Sequence, residues 1–355
     1  MVSLFLSLAS FVSLAVHFAS ANMPSPLAET RFAPRWLHAW SVLTAGATVA
    51  LLALGAVVTT FQVGMADPVW PTVPWHLALI DWSEPNPGFV IEHSHRLAGY
   101  VVGCCVIVLT IGLLLSAQRS WLKWLGVAAL AGVIAQGLLG GFRVVLHAWL
   151  GTNLAVIHGC FAQIVFSLLV SLAVITSARF AAVSLPAVES PRVGRWSLVL
   201  TALVFLQLVW GALLRHTNGA LAQRMHLFTA FAVVAAAVWF ARTALASPAA
   251  RRVLGRTLML LAVLLTLQIM LGVESWLGKF IGVLLPEMRK PTIGQAATRV
   301  AHVLVGSFIL ATCVVQTLLL YRPAPAPQDD LLFSDSSEKR SSGITTLVQQ
   351  LEGTA

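Results

Sequence analysis

Four histidines recur at matching places along this chain: His95, His158, His226 and His302. Each falls in the first turns of an even-numbered member of a series of long apolar runs. His95 and His302 are each followed four residues later by a glycine, Gly99 and Gly306, on the same helical face. A lone histidine near a helix end is commonly an interfacial or hydrogen-bonded residue. Ionisable groups inside a membrane are costly, however, so four of them in register point to function. Neutral imidazole ligates iron well, and two histidines per half on different helices suit one bis-histidine haem in each half. A zinc or copper site would call for ligands clustered locally.

Arginines stand close to three of these histidines. Arg96 follows His95, Arg224 precedes His226 by two residues, and Arg299 precedes His302 by three. Haem is an apolar plate with two carboxylates at one edge, and arginine is a natural partner for a carboxylate at a membrane boundary. Each arginine taken alone reads equally well as a snorkelling anchor. Glu92 breaks the symmetry: it shares a helical face with His95, three residues on, whereas the sixth run has Leu221 and Ala222 in the corresponding turn. An acid favoured by the helix dipole is the structural alternative; the asymmetry favours catalysis. His93, His38, His76, His147 and His216 carry less weight, as helix neighbours or residues at ends and in loops.

The elements that must position these residues are transmembrane helices. With 58% hydrophobic and 10% charged residues, the 355-residue chain has too little polar surface for a water-soluble globule. Eight stretches reach the roughly 20 apolar residues of a bilayer span, near 38–60, 91–117, 121–142, 152–177, 195–214, 221–245, 253–273 and 298–321. The net charge of +9 is spread through loops, which argues against nucleic acid and for the positive-inside rule. Fourteen of the cations then fall on inner segments, and both ends of the eight-helix body lie in the cytoplasm. Cys104, Cys105, Cys160 and Cys313 all lie within spans, where small apolar packing is the expected role.

Odd-numbered spans end alike, in Leu54-Gly55, Gln136 to Gly140, Gln207 to Gly211 and Gln268 to Gly272. Those glycines read as points of close helix approach. Together with the four histidines they predict an all-α membrane protein of eight helices in two parallel-repeated four-helix bundles. The expected divisions are an N-terminal segment 1–35, a first half 36–177 with one histidine pair, a cytoplasmic linker 178–195, a second half 196–321 with the other pair, and a disordered cytoplasmic tail 322–355. Residues 1–22 form a further apolar run without a basic start; of an extra helix, a cleaved leader and a start assigned too early, the last is the expectation. The loop 61–90, with Trp70, Trp75, Trp82 and five prolines, is expected to form a semi-rigid interfacial cover.

Glu92-His93-Ser94-His95-Arg96 resembles the Glu-x-x-His-Arg motif of haem A synthases. The likeness extends over most of residues 36–321 and takes in Gly64 to Pro71, Gln136 to Arg143, His158 to Gln163, Gly211 to His216, and His302 with Gly306. The resemblance implies oxidation of the C8 methyl of haem O to a formyl group. It also implies that His95 and His158 flank the substrate haem with Glu92 beside the reacting centre, and that His226 and His302 ligate a haem b cofactor. It further suggests water as oxygen source, supply of haem O by a haem O synthase, an outside electron acceptor, a possible homo-oligomer, and a bacterial inner membrane in preference to a mitochondrial one. Two departures stand out: no cysteine pair in the first outer loop, and a short loop from Arg215 to Gln223. A di-haem electron carrier is the alternative reading, and a transporter a third.

Overall fold

The computed structural model describes residues 33–67, 69, 86–116, 119–146, 149, 151–178, 180, 191–284 and 291–321, with backbone alone at 279–284. The apolar run 1–22, most of the first outer loop, the centre of the linker and the tail after Tyr321 lie outside these residues. Eight helices run in chain order: α1 Arg35–Thr60, α2 Pro87–Leu115, α3 Ser120–Val145, α4 Asn153–Ile175, α5 Pro191–Thr217, α6 Ala220–Ala246, α7 Pro248–Leu284 and α8 Ile293–Leu320. All eight are long and apolar enough to cross a bilayer, and the chain is an integral membrane protein.

Several helices start earlier than the apolar pattern suggests, because polar caps and prolines extend them beyond their greasy centres. Pro87 occupies the first turn of α2 behind Asn86, whose side chain accepts from Gly88 N. Pro191, expected in the linker, instead opens α5. Thr292 and Gln295 form a reciprocal capping box at the start of α8. The largest difference is α7, expected over 253–273 but 37 residues long; at 1.5 Å per residue it spans about 55 Å, well beyond a hydrocarbon core of about 30 Å. The expected loop from Arg215 to Gln223 shrinks as well, since Arg215 and His216 belong to the last turn of α5.

Consecutive helices α1 to α4 pack in a ring that closes α1 on α4, and α5 to α8 repeat the arrangement with α8 on α5. The rings meet where α8 touches α1 and α4, and where α4 touches α5. Accordingly α4 and α8 are the most enclosed spans, 56% and 61% buried, against 17% for α3 and 11% for α7. Leu37, Leu109, Leu113, Leu169 and Leu172 fill one core and Leu200, Phe205, Phe240, Leu254 and Leu310 the other; Phe161 of α4 packs against both. Since lipid is as apolar as leucine, close packing and internal hydrogen bonds hold such helices together. Trp40 Nε1 donates to the Cys105 carbonyl at 2.8 Å, Thr110 Oγ1 to the Gly126 carbonyl at 3.0 Å, and Ser197 and Thr317 share a bond of 2.5 Å.

Candidate functional site

The four histidines lie about one and a half to two and a half turns into α2, α4, α6 and α8. All four are partly buried. Each ring lies against the glycine near the end of the preceding odd-numbered helix. A Cβ at Gly55 would stand 2.9 Å from His95 Cε1, at Gly140 3.6 Å from His158 Cε1, and at Gly211 and Gly272 3.1 Å from Cε1 of His226 and His302. The glycines therefore open niches for imidazoles, a more specific role than helix approach.

Four residues before each glycine stands Leu51, Gln136, Gln207 or Gln268. The glutamines support their histidines in different ways. Gln136 Nε2 donates to the His158 carbonyl at 3.1 Å. The Gln207 carbonyl lies 3.3 Å from His226 Nδ1. A carbonyl can only accept, so Nδ1 carries the proton and Nε2 keeps its lone pair. Gln207 Nε2 approaches that lone pair at 3.4 Å, and Gln268 Nε2 approaches His302 Nε2 at 3.3 Å. Gln207 Oε1 is held in turn by Thr229 Oγ1. Glycine at 306 leaves room for Gln268 and Leu208, 3.4 and 3.2 Å from where a Cβ would stand.

The second pair fits a haem iron by two measures. Its ring centroids are 6.3 Å apart at an interplanar angle of 70°. An iron between two imidazoles needs about 2 Å of metal–nitrogen bond on each side, as for other divalent ions, plus a ring radius, or roughly 6 Å between centroids. The tautomer set by the Gln207 carbonyl also leaves on Nε2 of His226 the lone pair that a metal would need. In the first half, His95 and His158 lie within electrostatic reach of each other and of Arg143. Among the described residues the buried Nδ1 atoms of His95, His158 and His302 make no hydrogen bond of good geometry, the rings of His95 and His302 standing near the backbone of Leu51 and Gln268.

Glu92 occupies a different environment from any residue of the second half. It is 5% exposed and lies beyond the first turn of α2, outside the range where a helix dipole explains an acid. Its Oε2 accepts from Asp67 N at 2.8 Å and its Oε1 from Arg96 Nη2 at 3.0 Å. Arg96 also bonds the Asp67 carboxylate at 3.0 Å, the Asp67 carbonyl at 2.5 Å and the Val69 carbonyl. His93 Nδ1 completes the cluster, 3.2 Å from Asp67 Oδ2, with Phe89 stacked on its ring. Thus Arg96, expected at a haem carboxylate, fastens the first outer segment to α2. His93, given little weight above, is 1% exposed and helps to hold Asp67.

The other expected arginines are less engaged. Arg224 is exposed at the start of α6, and Arg299 is partly buried within electrostatic reach of Arg215. Arg143 and Arg215 are nearer the histidines than the sequence suggested. Arg143 packs its guanidinium against Gly64 and faces Glu92 and Arg96 electrostatically. Both arginines stand inside the segments Gln136 to Arg143 and Gly211 to His216, whose likeness was visible; their three-dimensional position was not. A groove of about 300 Å³ between α1 and α2, lined by Ala47, Ala50, Ser94, Leu97, Ala98 and Val101, contains none of the four histidines.

Eight spans carrying two glycine-backed histidine pairs, with a buried Glu–Arg–Asp–His cluster beside one pair, define a polytopic membrane protein with two unequal imidazole sites. The chain belongs to the COX15-CtaA family of cytochrome oxidase assembly proteins, whose model matches residues 1–170 and 74–225. Both matches include Glu92, His95 and His158, whereas His226 and His302 lie beyond them. No curated protein matches the chain.

Proposed function

We propose that this protein is a haem A synthase. His95 and His158 would hold the substrate haem O, and His226 and His302 would hold a haem b. The reaction is a four-electron oxidation in which the C8 methyl and one net water become a formyl group, four protons and four electrons. Haem b supplies a one-electron relay to an outside acceptor. The chain's own residues hold the substrate, orient water and accept protons. Glu92 is the proton acceptor this reading assigns, because Asp67 N and Arg96 fix its carboxylate in place three residues from His95.

The observation that carries this reading is the inequality of the two sites. Glutamines attend His158, His226 and His302, whereas Leu51 takes the equivalent place beside His95, and among the described residues only there does a buried carboxylate cluster replace them. A di-haem carrier would need the four niches but has no use for that cluster. Both ends of the helical body face the cytoplasm in this reading, with the histidines toward the outer face of a bacterial inner membrane.

The test is Glu92→Gln in protein supplied with haem O, with the extracted haems identified by mass. A folded, haem-loaded variant should accumulate haem O or its singly hydroxylated form, with turnover reduced by about 10²–10⁴-fold, as expected for loss of a general base. Formation of haem A at the normal rate would remove Glu92 from the chemistry and favour the carrier.

A further inference from the structure

Arg215 closes α5, yet its hydrogen bonds are made in the other ring. Nη2 donates to the Ala56 carbonyl at 2.5 Å and to Thr60 Oγ1 at 2.7 Å, both in the last turns of α1. Ala56 adjoins Gly55, the residue on which His95 rests, and both Ala56 and Thr60 are buried. Arg215 also lies within electrostatic reach of His302 and Arg299. One guanidinium thus bonds the helix against which His95 rests and lies near His302 of the other pair.

Its remaining donors are unspent. Among the described residues Nη1 and Nε meet no hydrogen-bond acceptor, and no carboxylate lies within ion-pair distance. Two neighbouring cations, Arg215 and Arg299, in a partly buried setting at a membrane boundary call for an anion. Haem brings two carboxylates on one edge, and arginine's planar fork suits them.

We propose that Arg215 is a positioning residue shared by both haem sites: it ties α1 to the second half through Nη2 and offers its other donors to a carboxylate of the haem held by His226 and His302. The proposal rests on the two-haem reading above. It makes the seat of His95 depend on a residue of the other half, so the two sites are mechanically joined.

The test uses full-length, haem-depleted protein in detergent, titrated with ferric protoporphyrin IX and followed by its absorption bands. A His302→Ala background reports the first site and a His158→Ala background the second. Arg215→Gln should weaken binding about tenfold in each background, the loss expected for a charge-assisted hydrogen bond. It should also lower the reduction potential of the second-site haem, since a neighbouring cation disfavours ferric iron. Arg215→Lys should restore the potential but not first-site affinity, because the charge returns without the fork. Thr60→Val, a change small enough to fold if Arg215→Gln does not, should weaken the first site alone.

Unchanged first-site affinity in both Arg215→Gln and Thr60→Val would overturn the tie to α1. An unchanged second-site potential and affinity in Arg215→Gln would overturn the carboxylate contact. Failure of the parent protein to bind the porphyrin in either half would instead defeat the two-haem reading itself.

Discussion

The imidazole of His95 rests on Gly55, with Cε1 2.9 Å from where a Cβ would stand. The same relation recurs at Gly211 and Gly272 with 3.1 Å, and at Gly140 with a relaxed 3.6 Å. A methyl group at 55 must therefore displace the ring, and on the proposed reading a displaced ring would hold its haem less well. Gly55→Ala is expected to weaken first-site porphyrin binding about tenfold, in line with overpacking costs of roughly 1–3 kcal/mol. Gly211→Ala and Gly272→Ala should have smaller effects on the second site, and Gly140→Ala almost none. Spectrophotometric titration of the four variants checks the order; an equal loss in all four would show that the glycines serve helix packing alone.

His226→Ala and His302→Ala should each abolish the low-spin haem signal of the second half while the protein still inserts and keeps its helical content. On the proposed reading each substitution removes one of the two imidazoles that would hold the haem, so the haem would bind in an altered form or not at all. Optical and electron paramagnetic resonance spectra distinguish these outcomes. A complete bis-histidine spectrum in both variants would exclude this pair as ligands.

How much of this was legible beforehand differs from residue to residue. The spans follow from hydropathy, because a bilayer admits few other backbone arrangements. The register of His95, His158, His226 and His302 was visible as a repeat, and so were the glycines, but nothing in one dimension shows that the two sets touch. Gln136, Gln207 and Gln268 looked like helix-end punctuation until their amides met the histidines. Asp67 was hidden for a related reason: its partners Glu92, His93 and Arg96 are 25 to 29 residues away. The length of α7 escaped hydropathy because charges interrupt the apolar pattern near both ends, Arg251, Arg252 and Arg256 at the start and Glu274 and Lys279 toward the close. Arg96 was legible as a cation beside His95, but not its bonds to Asp67 and Glu92, which tie the outer segment to α2.

Orientation can be read from two short connections. Thr217 is exposed near the end of α5, one short turn from α6, and Ala246 is exposed at the far end of α6. The arginine bias puts the first outside and the second inside. In intact spheroplasts, a membrane-impermeant maleimide should label Thr217→Cys and spare Ala246→Cys, which should react only after the membrane is opened. The native cysteines are a suitable background, since Cys160 and Cys313 are buried and Cys104 and Cys105 lie within α2. The reverse labelling pattern would invert the topology and put the histidine sites on the inner face.

Asp67 is expected to matter as much to turnover as to stability. Its carboxylate is fully buried and receives both Arg96 and His93, while its own N–H fixes Glu92. Asp67→Ala removes a buried carboxylate, but Arg96 keeps Glu92 at 3.0 Å, so the cost should fall below the roughly 3–5 kcal/mol of a fully orphaned buried charge and still lower the melting temperature. Asp67→Asn is the more informative variant, because it keeps the shape and the backbone N–H while discarding the charge. Arg96 then has only Glu92 as an ionic partner among the described residues and should draw closer to it. A carboxylate held more tightly by a guanidinium is a weaker base, so haem O oxidation should slow at least tenfold while both haems still load. The measurements are thermal unfolding, haem stoichiometry and the rate of haem A formation. A fall in stability with an unaltered rate per haem-loaded molecule would confine Asp67 to fastening the outer segment and would separate that segment from the chemistry at Glu92.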